Sequence, residues 1–180
     1  MAADADISVI YHSSDNGLRW EMAHVWGWGN INVPARNIPP LQRIIASHER
    51  SIHDTIATLI YGKVFERFPT LRFAAVELGS SWVSDLVESF DRVGKGDLDE
   101  DPLATFKKHF WVTPFEDDDI RALSDTIGVD RLMFGSDFPH TDGLAEPSTF
   151  ATYLDGFDAG DVRKIMHDNA RKLIDPKAVV

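Results

Sequence analysis

Cysteine is absent from this chain of 180 residues. Disulfides and thiolate metal sites are therefore excluded. Redox chemistry leaves the compartment open, and a cytoplasmic home is the simplest expectation. Long hydrophobic runs are also missing. No apolar stretch approaches the ~20 residues a membrane helix needs. The opening Met1-Ala-Ala-Asp-Ala-Asp6 carries acid where a secretory signal needs base and then a long apolar run. Positive charge is scarce: 18 Lys and Arg stand against 29 Asp and Glu, for a formal net charge of −11. That balance argues against nucleic-acid phosphate as a partner, and no membrane partner is expected either. Gly-x-Gly-x-x-Gly loops, P-loop spacing, a Gly-x-Ser-x-Gly elbow and a His-Glu-x-x-His pair do not occur. Short repeats and low-complexity tracts are lacking too.

What is present is ordinary for a globular protein: 43% hydrophobic and 26% charged residues. The length suits one domain over residues 1–180. Four strand-then-helix units are legible. Ile7 to Tyr11 is a short β-branched run ending at His12. Ser13 to Pro40 reads as a long loop rich in Gly, Asn, Pro and Trp. Leu41, Ile44, Ile45, Ile52, Ile56, Leu59 and Ile60 then recur at helical spacing, predicting one helix or two over 41–66. Phe68-Pro69 stops them.

Leu71 to Val76 is the second strand, ending at Glu77. Trp82, Leu86 and Phe90 mark the helix after it, which fades at Gly94-Lys95-Gly96. A short helix near Leu103 to Lys108 precedes a third strand, Phe110 to Thr113. Acid at Glu116 to Asp119 suits a helix N-terminus, and that helix carries Ile120, Leu123 and Ile127 as far as Gly128. Leu132 to Phe134 is the fourth strand, followed by Gly135-Ser136-Asp137. Helix is expected near 147–155 and from Asp161 to about Leu173.

Alternating strands and helices imply a parallel sheet. Polar groups sit where strands end: His12, Glu77, Thr113 and Asp137. In parallel α/β folds that end of the sheet holds the site. The pattern alone fits an open doubly wound sheet as well as part of a barrel.

Four passages then carry a resemblance. They are Leu132-Met-Phe-Gly-Ser-Asp-Phe-Pro-His140, Val64-Phe-Glu-Arg-Phe-Pro-Thr-Leu-Arg-Phe73, Glu77-Leu-Gly-Ser-Ser-Trp82 and Asp161-Val-Arg-Lys-Ile-Met-His-Asp-Asn-Ala-Arg-Lys-Leu173. Together, and in order, they resemble the amidohydrolase-2 family of metal-dependent hydrolases and decarboxylases. The resemblance implies an α/β fold, the C-terminal half (strands five to eight) of a TIM-like (β/α)8 barrel. It also implies one divalent metal, usually zinc and sometimes manganese. The family's ligands are a His-x-His pair on strand one, a histidine ending strand five and an aspartate ending strand eight. His12 matches the strand-five histidine and Asp137 the strand-eight aspartate. The His-x-His pair has no counterpart here, and a full barrel needs about 250 residues. Two ligands are too few for a closed or an open three-ligand site, so weak metal binding is expected of the chain alone.

The site expectations follow. His12 and Asp137 are the metal ligands, and Asp137 also takes a proton from metal-activated water. Glu77 is the second catalytic candidate, as acid, base or substrate contact, or else one half of a buried salt bridge to an arginine. Several family decarboxylases carry a histidine where Glu77 stands. His140, Arg19, Trp26 and Trp28 are the candidate substrate contacts. Trp20, His24 and Arg36 share their loop, and Asp142 follows His140. The expected activity is hydrolysis of a small ester, amide or lactone. Three alternatives stay open: a decarboxylase of an aromatic or unsaturated acid, a non-catalytic half-barrel, and an open four-stranded sheet binding a small ligand without metal. Four strands would leave unpaired edges and an uncovered face, so self-association or a partner supplying strands one to four is expected.

Overall fold

Three short parallel strands form the centre of the computed structural model: β1 (Val9–His12), β2 (Phe73–Val76) and β3 (Phe110–Val112), ordered β1-β2-β3. The structure describes residues 2–13, 17–27, 37, 39–45, 48–140 and 143–177; at 18, 19, 42, 43, 45, 48 and 49 it describes the backbone alone. The register aligns Ile10 with Ala74, and Ala74 with Trp111. It likewise aligns Val9 with Phe73, and Phe73 with Phe110. Alternate residues thus face opposite sides. Phe73, Ala75, Phe110, Val112 and Leu132 join the larger core, and Ala74, Trp111 and Met133 a smaller one with Leu173. Ala74 and Ala75 are both buried, as a strand covered on both faces requires.

The fourth strand expected from sequence shrinks to one parallel bridge, Val112 to Leu132, extended by Met133 N donating to Val112 O at 2.9 Å. The ladder's next bond would run from residue 114 N to Met133 O, and Pro114 has no N–H to donate. On the outer side, Phe134 N donates to Ile165 O at 2.9 Å. The buried Asn169 amide donates to Val129 O and Leu132 O, both at 2.8 Å. These partners belong to the closing helical segment, which occupies the outer edge of this stretch.

The helices obey their stripes. The chain supplies α1 (Leu18–His24), α2 (Pro40–Ile45), α3 (His48–Tyr61), α4 (Val64–Arg67), α5 (Trp82–Val93), α6 (Pro102–His109) and α7 (Ile120–Ile127). The closing segment is α8 (Ala159–Arg163), a π-helical turn (Lys164–Asp168) and α9 (Asn169–Ile174). Within residues 41–66, expected as one helix or two, the described residues are helical in α2, α3 and α4, and Lys63 adopts φ 57° where α4 begins. The loop expected from Ser13 to Pro40 contains α1. On α5, Trp82, Val83, Leu86 and Phe90 are buried, at the spacing of one helix face. Asp101 caps α6 by accepting from Ala104 N at 3.0 Å, with Pro102 in the first turn. Asp119 caps α7 in the same way through Ala122 N at 2.9 Å. The segment expected as helix near 147–155 is 3-10 helix over Pro147–Tyr153. No described helix is long and apolar enough to cross a membrane.

Aromatic rings tie the helix layer to the sheet. Phe110 stacks on Phe106 (centroids 5.2 Å apart) and on Phe73 (5.3 Å), and meets Phe65 edge-on at 5.4 Å. His109 is buried beside them, stacked on Phe65 at 4.2 Å, with Nδ1 donating to Leu71 O at 2.8 Å. Burial holds its pKa below the ordinary 6.5, against the opposing effect of that hydrogen bond. In the unfolded chain the imidazole takes up a proton more readily. Stability from this group is therefore full at neutral pH, and it declines as pH falls below about 6.5 toward the lower folded value. Thermal melts between pH 7.5 and 5.5 check this. His109→Gln, which keeps a donor for Leu71 O, is expected to show a shallower loss than the parent.

Candidate functional site

The C-terminal strand ends converge. His12 closes β1, Glu77 follows β2, and Asp137 lies beyond the Leu132 bridge. Glu77 and Asp137 both hold left-handed backbone, at φ 54° and 52°. Such a conformation costs a non-glycine residue roughly 1–2 kcal/mol, and strain of this kind clusters where side chains must be aimed. The turns are pinned from neighbouring loops. Asp118 Oδ2 accepts from Ser80 N and from Phe115 N, each at 2.8 Å. One carboxylate thus joins the turn after β2 to the turn after β3. Gly79, at φ 57°, lies so close to Phe115 that a Cβ there would stand 2.7 Å from its ring. Gly143 backs Asp137: a Cβ there would approach Ser136 O to 2.6 Å and Asp137 Cβ to 3.3 Å.

Within the cluster, His12 Nε2 is 2.7 Å from Glu77 Oε2. His140 Nδ1 lies 3.2 Å from Asp137 Oδ1 and 3.9 Å from Glu77 Oε2. One ligand atom each from Glu77, Asp137 and His140 fall within 4.8 Å of one another. Glu77 Oε2 is itself buried, yet among the described residues it accepts no aligned hydrogen bond despite the nearby imidazole. The two carboxylates are shielded, at 25% and 22% exposure, while the imidazoles of His12 and His140 are open at 59% and 60%. Two carboxylates, two imidazoles and an unused buried acceptor are the donor chemistry a divalent cation takes. The residues present therefore fit the metal that the resemblance implies.

The remaining sequence candidates divide. Among the described residues, Glu77 is paired with His12 and His140. Thr113 serves the sheet: its N and Oγ1 both donate to Ala75 O, at 3.1 and 3.2 Å. Trp26 is exposed just past α1. Trp20 stacks on His24 of the same helix at 4.5 Å, and His24 Nδ1 lies 2.8 Å from Trp20 O. The Arg19 side chain, Trp28, Arg36 and Asp142 lie outside the described residues. A separate groove of about 430 Å³ runs between α1 and α3, lined by Glu21, Arg50, Asp54 and Thr58 among others, and none of the strand-end groups lines it. Sequence reasoning missed Asp118 and Gly143. Asp118 reads as one acid in a helix-capping run, and nothing in the local pattern singles out Gly143.

A family model described as amidohydrolase matches residues 1–175. A crystal structure of an amidohydrolase from Mycobacterium avium subsp. paratuberculosis is 37% identical over 96% of this chain, with a TM-score of 0.83. The chain spans only 43% of that protein's length. At lower identity the fold alone is shared. A dihydroxybenzoic acid decarboxylase from Polaromonas sp., solved with manganese and the inhibitor 2-nitroresorcinol, is 16% identical at a TM-score of 0.62, over 99% of this chain and 52% of that one. A 2,6-dihydroxybenzoate decarboxylase from Rhizobium is also 16% identical at 0.62, over 96% and 52%. The helices and small parallel sheet correspond to part of a TIM-like barrel. From its first residue to the closing helix, this chain belongs to the amidohydrolase family.

Proposed function

We propose that this chain carries the site of a metal-dependent hydrolase acting on a small ester, amide or lactone. One observation carries the reading: ligand atoms of Glu77, Asp137 and His140 gather within 4.8 Å at the strand ends. The assignment to strands five to eight of a barrel, with His12 and Asp137 at the family's metal positions, is part of this proposal. So are the substrate contacts by His140, Arg19, Trp26 and Trp28. A divalent ion, when bound, supplies Lewis acidity that acidifies water and polarises a carbonyl. Asp137 takes the water proton on its carboxylate, beside His140 Nδ1 at 3.2 Å. The water oxygen bonds to the acyl carbon, the bond to the leaving oxygen or nitrogen breaks, and the proton held on Asp137 passes to that leaving group. Glu77, three-quarters shielded, keeps a second negative charge at the site.

Hydrolysis is favoured over decarboxylation because Glu77 stands where several family decarboxylases carry an acid–base histidine. The direct test supplies zinc or manganese and offers aryl esters, lactones and 2,6-dihydroxybenzoate. Metal-dependent acid release, abolished by a chelator, supports the reading. Carbon dioxide release from the aromatic acid without ester cleavage would replace it with a decarboxylase.

Exposed apolar side chains along β1 and beside Asp137 favour a covered state. Ile7 and Ile10 are 59% and 49% exposed at β1, and Phe138, beside Asp137, is 82% exposed. We propose that a second copy, or a chain supplying further strands, covers this side. Sedimentation at micromolar concentration is expected to show association; a clean monomer would count against it.

A further inference from the structure

We propose that Asp118 is a positioning residue for the site: by tying the turn after β2 to the turn after β3, its carboxylate sets where Glu77 stands against His12. The effect on rate rests on the metal-dependent reading above; the effect on geometry does not. The path from Asp118 to Glu77 is short. Glu77 opens its turn at φ 54°, a strained backbone that persists only where the residues after it are held. Leu78 is buried in the larger core. Gly79 O accepts from the buried Trp82 Nε1 at 3.0 Å. Trp82 belongs to α5, which leaves the same turn, so this bond does not fix the turn to the rest of the sheet. Asp118 supplies that link. Its Oδ2 accepts from Ser80 N, in a buried residue, at 2.8 Å.

The other end of the link is as firm. The same Oδ2 accepts from Phe115 N at 2.8 Å, and Asp118 N donates to Phe115 O at 3.3 Å. Phe115 follows β3, the parallel neighbour of β2. Its ring closes on Gly79, where a Cβ would stand 2.7 Å away, so the two turns also meet by packing. Charge strengthens the clamp, since an ionised acceptor makes hydrogen bonds about twice as strong as a neutral one. An amide at position 118 keeps the shape and a weaker acceptor. A methyl there leaves both N–H groups without this partner, and the one on buried Ser80 is costly to orphan. Glu77 Oε2 sits 2.7 Å from His12 Nε2, a contact that a small rotation of the turn would break. Misplacement of about 1 Å at a reacting site costs up to about 100-fold in rate.

The test compares the full chain with Asp118→Asn and Asp118→Ala. In metal-free protein at one pH, nuclear magnetic resonance follows the Glu77 carboxyl carbon, assigned by its loss in Glu77→Gln, and the His12 ring nitrogens. Both signals should move in Asp118→Ala, and move less in Asp118→Asn. With zinc or manganese, kcat for ester hydrolysis should fall about 10- to 100-fold in Asp118→Ala with KM little changed. Asp118→Asn should recover most of that loss. A clamp that serves folding alone gives a different result: the melting midpoint falls, yet the Glu77 and His12 signals match those of the parent. That result overturns the inference. Should Asp118→Ala fail to fold, Asp118→Asn decides, and signals superposing on the parent's overturn the inference. A parent chain without hydrolysis under either metal sinks the metal-dependent reading, and the resonance comparison still decides the role of Asp118.

Discussion

Replacing Asp137 with Asn is expected to lower metal-dependent hydrolysis about 10²- to 10⁴-fold, the range for removing a general base. The substitution is close to isosteric. Asn also tolerates left-handed backbone better than most residues, so φ 52° at this position should persist. The change removes a charge and a proton acceptor and leaves the turn. Loss of a charged ligand adds to the effect by weakening the ion's hold. Hydrolysis rates at saturating zinc or manganese, alongside a melt showing unchanged folding, make the measurement. A variant retaining more than a tenth of the parent rate would remove Asp137 from the proposed chemistry.

The second large effect is on stability. Phe110→Ala should cost about 3–5 kcal/mol, the usual range for truncating a buried Phe. Phe110 is 1% exposed and touches three other rings, those of Phe106, Phe73 and Phe65. These rings come from α6, β2 and α4, so the resulting cavity cannot close by moving one element. In a chain of this size each kcal/mol shifts the melting midpoint by about 2–4 °C. A fall of roughly 6–20 °C is therefore expected, with Phe110→Leu showing a smaller fall. A loss below about 1 kcal/mol by urea titration would mean that the ring stack does not hold β3 to the helix layer. Because β2 ends in Glu77, the site rests on the same stack.

The two effects separate what could be read in the sequence from what could not. Strands were legible because each is a short apolar run with a polar residue at its end. His12, Glu77 and Asp137 are therefore legible in the sequence. The stripes of α5 and α7 were equally plain, since Trp82, Leu86 and Phe90 or Ile120, Leu123 and Ile127 repeat at helical spacing. Local pattern could not show that Phe134 N would donate to Ile165 O on the outer side of the fourth strand. That choice is made by a segment some 30 residues further along the chain. Nor could it show α1 inside a loop-like composition.

At the site the same limit applies. His140 joins the cluster because Asp137 takes left-handed backbone and turns the chain back, with His140 N donating to Asp137 O at 2.8 Å. A sequence shows the histidine but not the turn. Asp118 is invisible for a related reason: its two backbone donors, Ser80 N and Phe115 N, come from different loops. Residues that aim a site through long-range contacts carry no local signature.

Anomalous diffraction from crystals grown with manganese tests the central claim most directly. A single peak about 2.0–2.3 Å from Asp137 and from further donors of the strand-end cluster of His12, Glu77 and His140 is the expected result. A peak bound elsewhere on the chain, or none in crystals saturated with the ion, would contradict it.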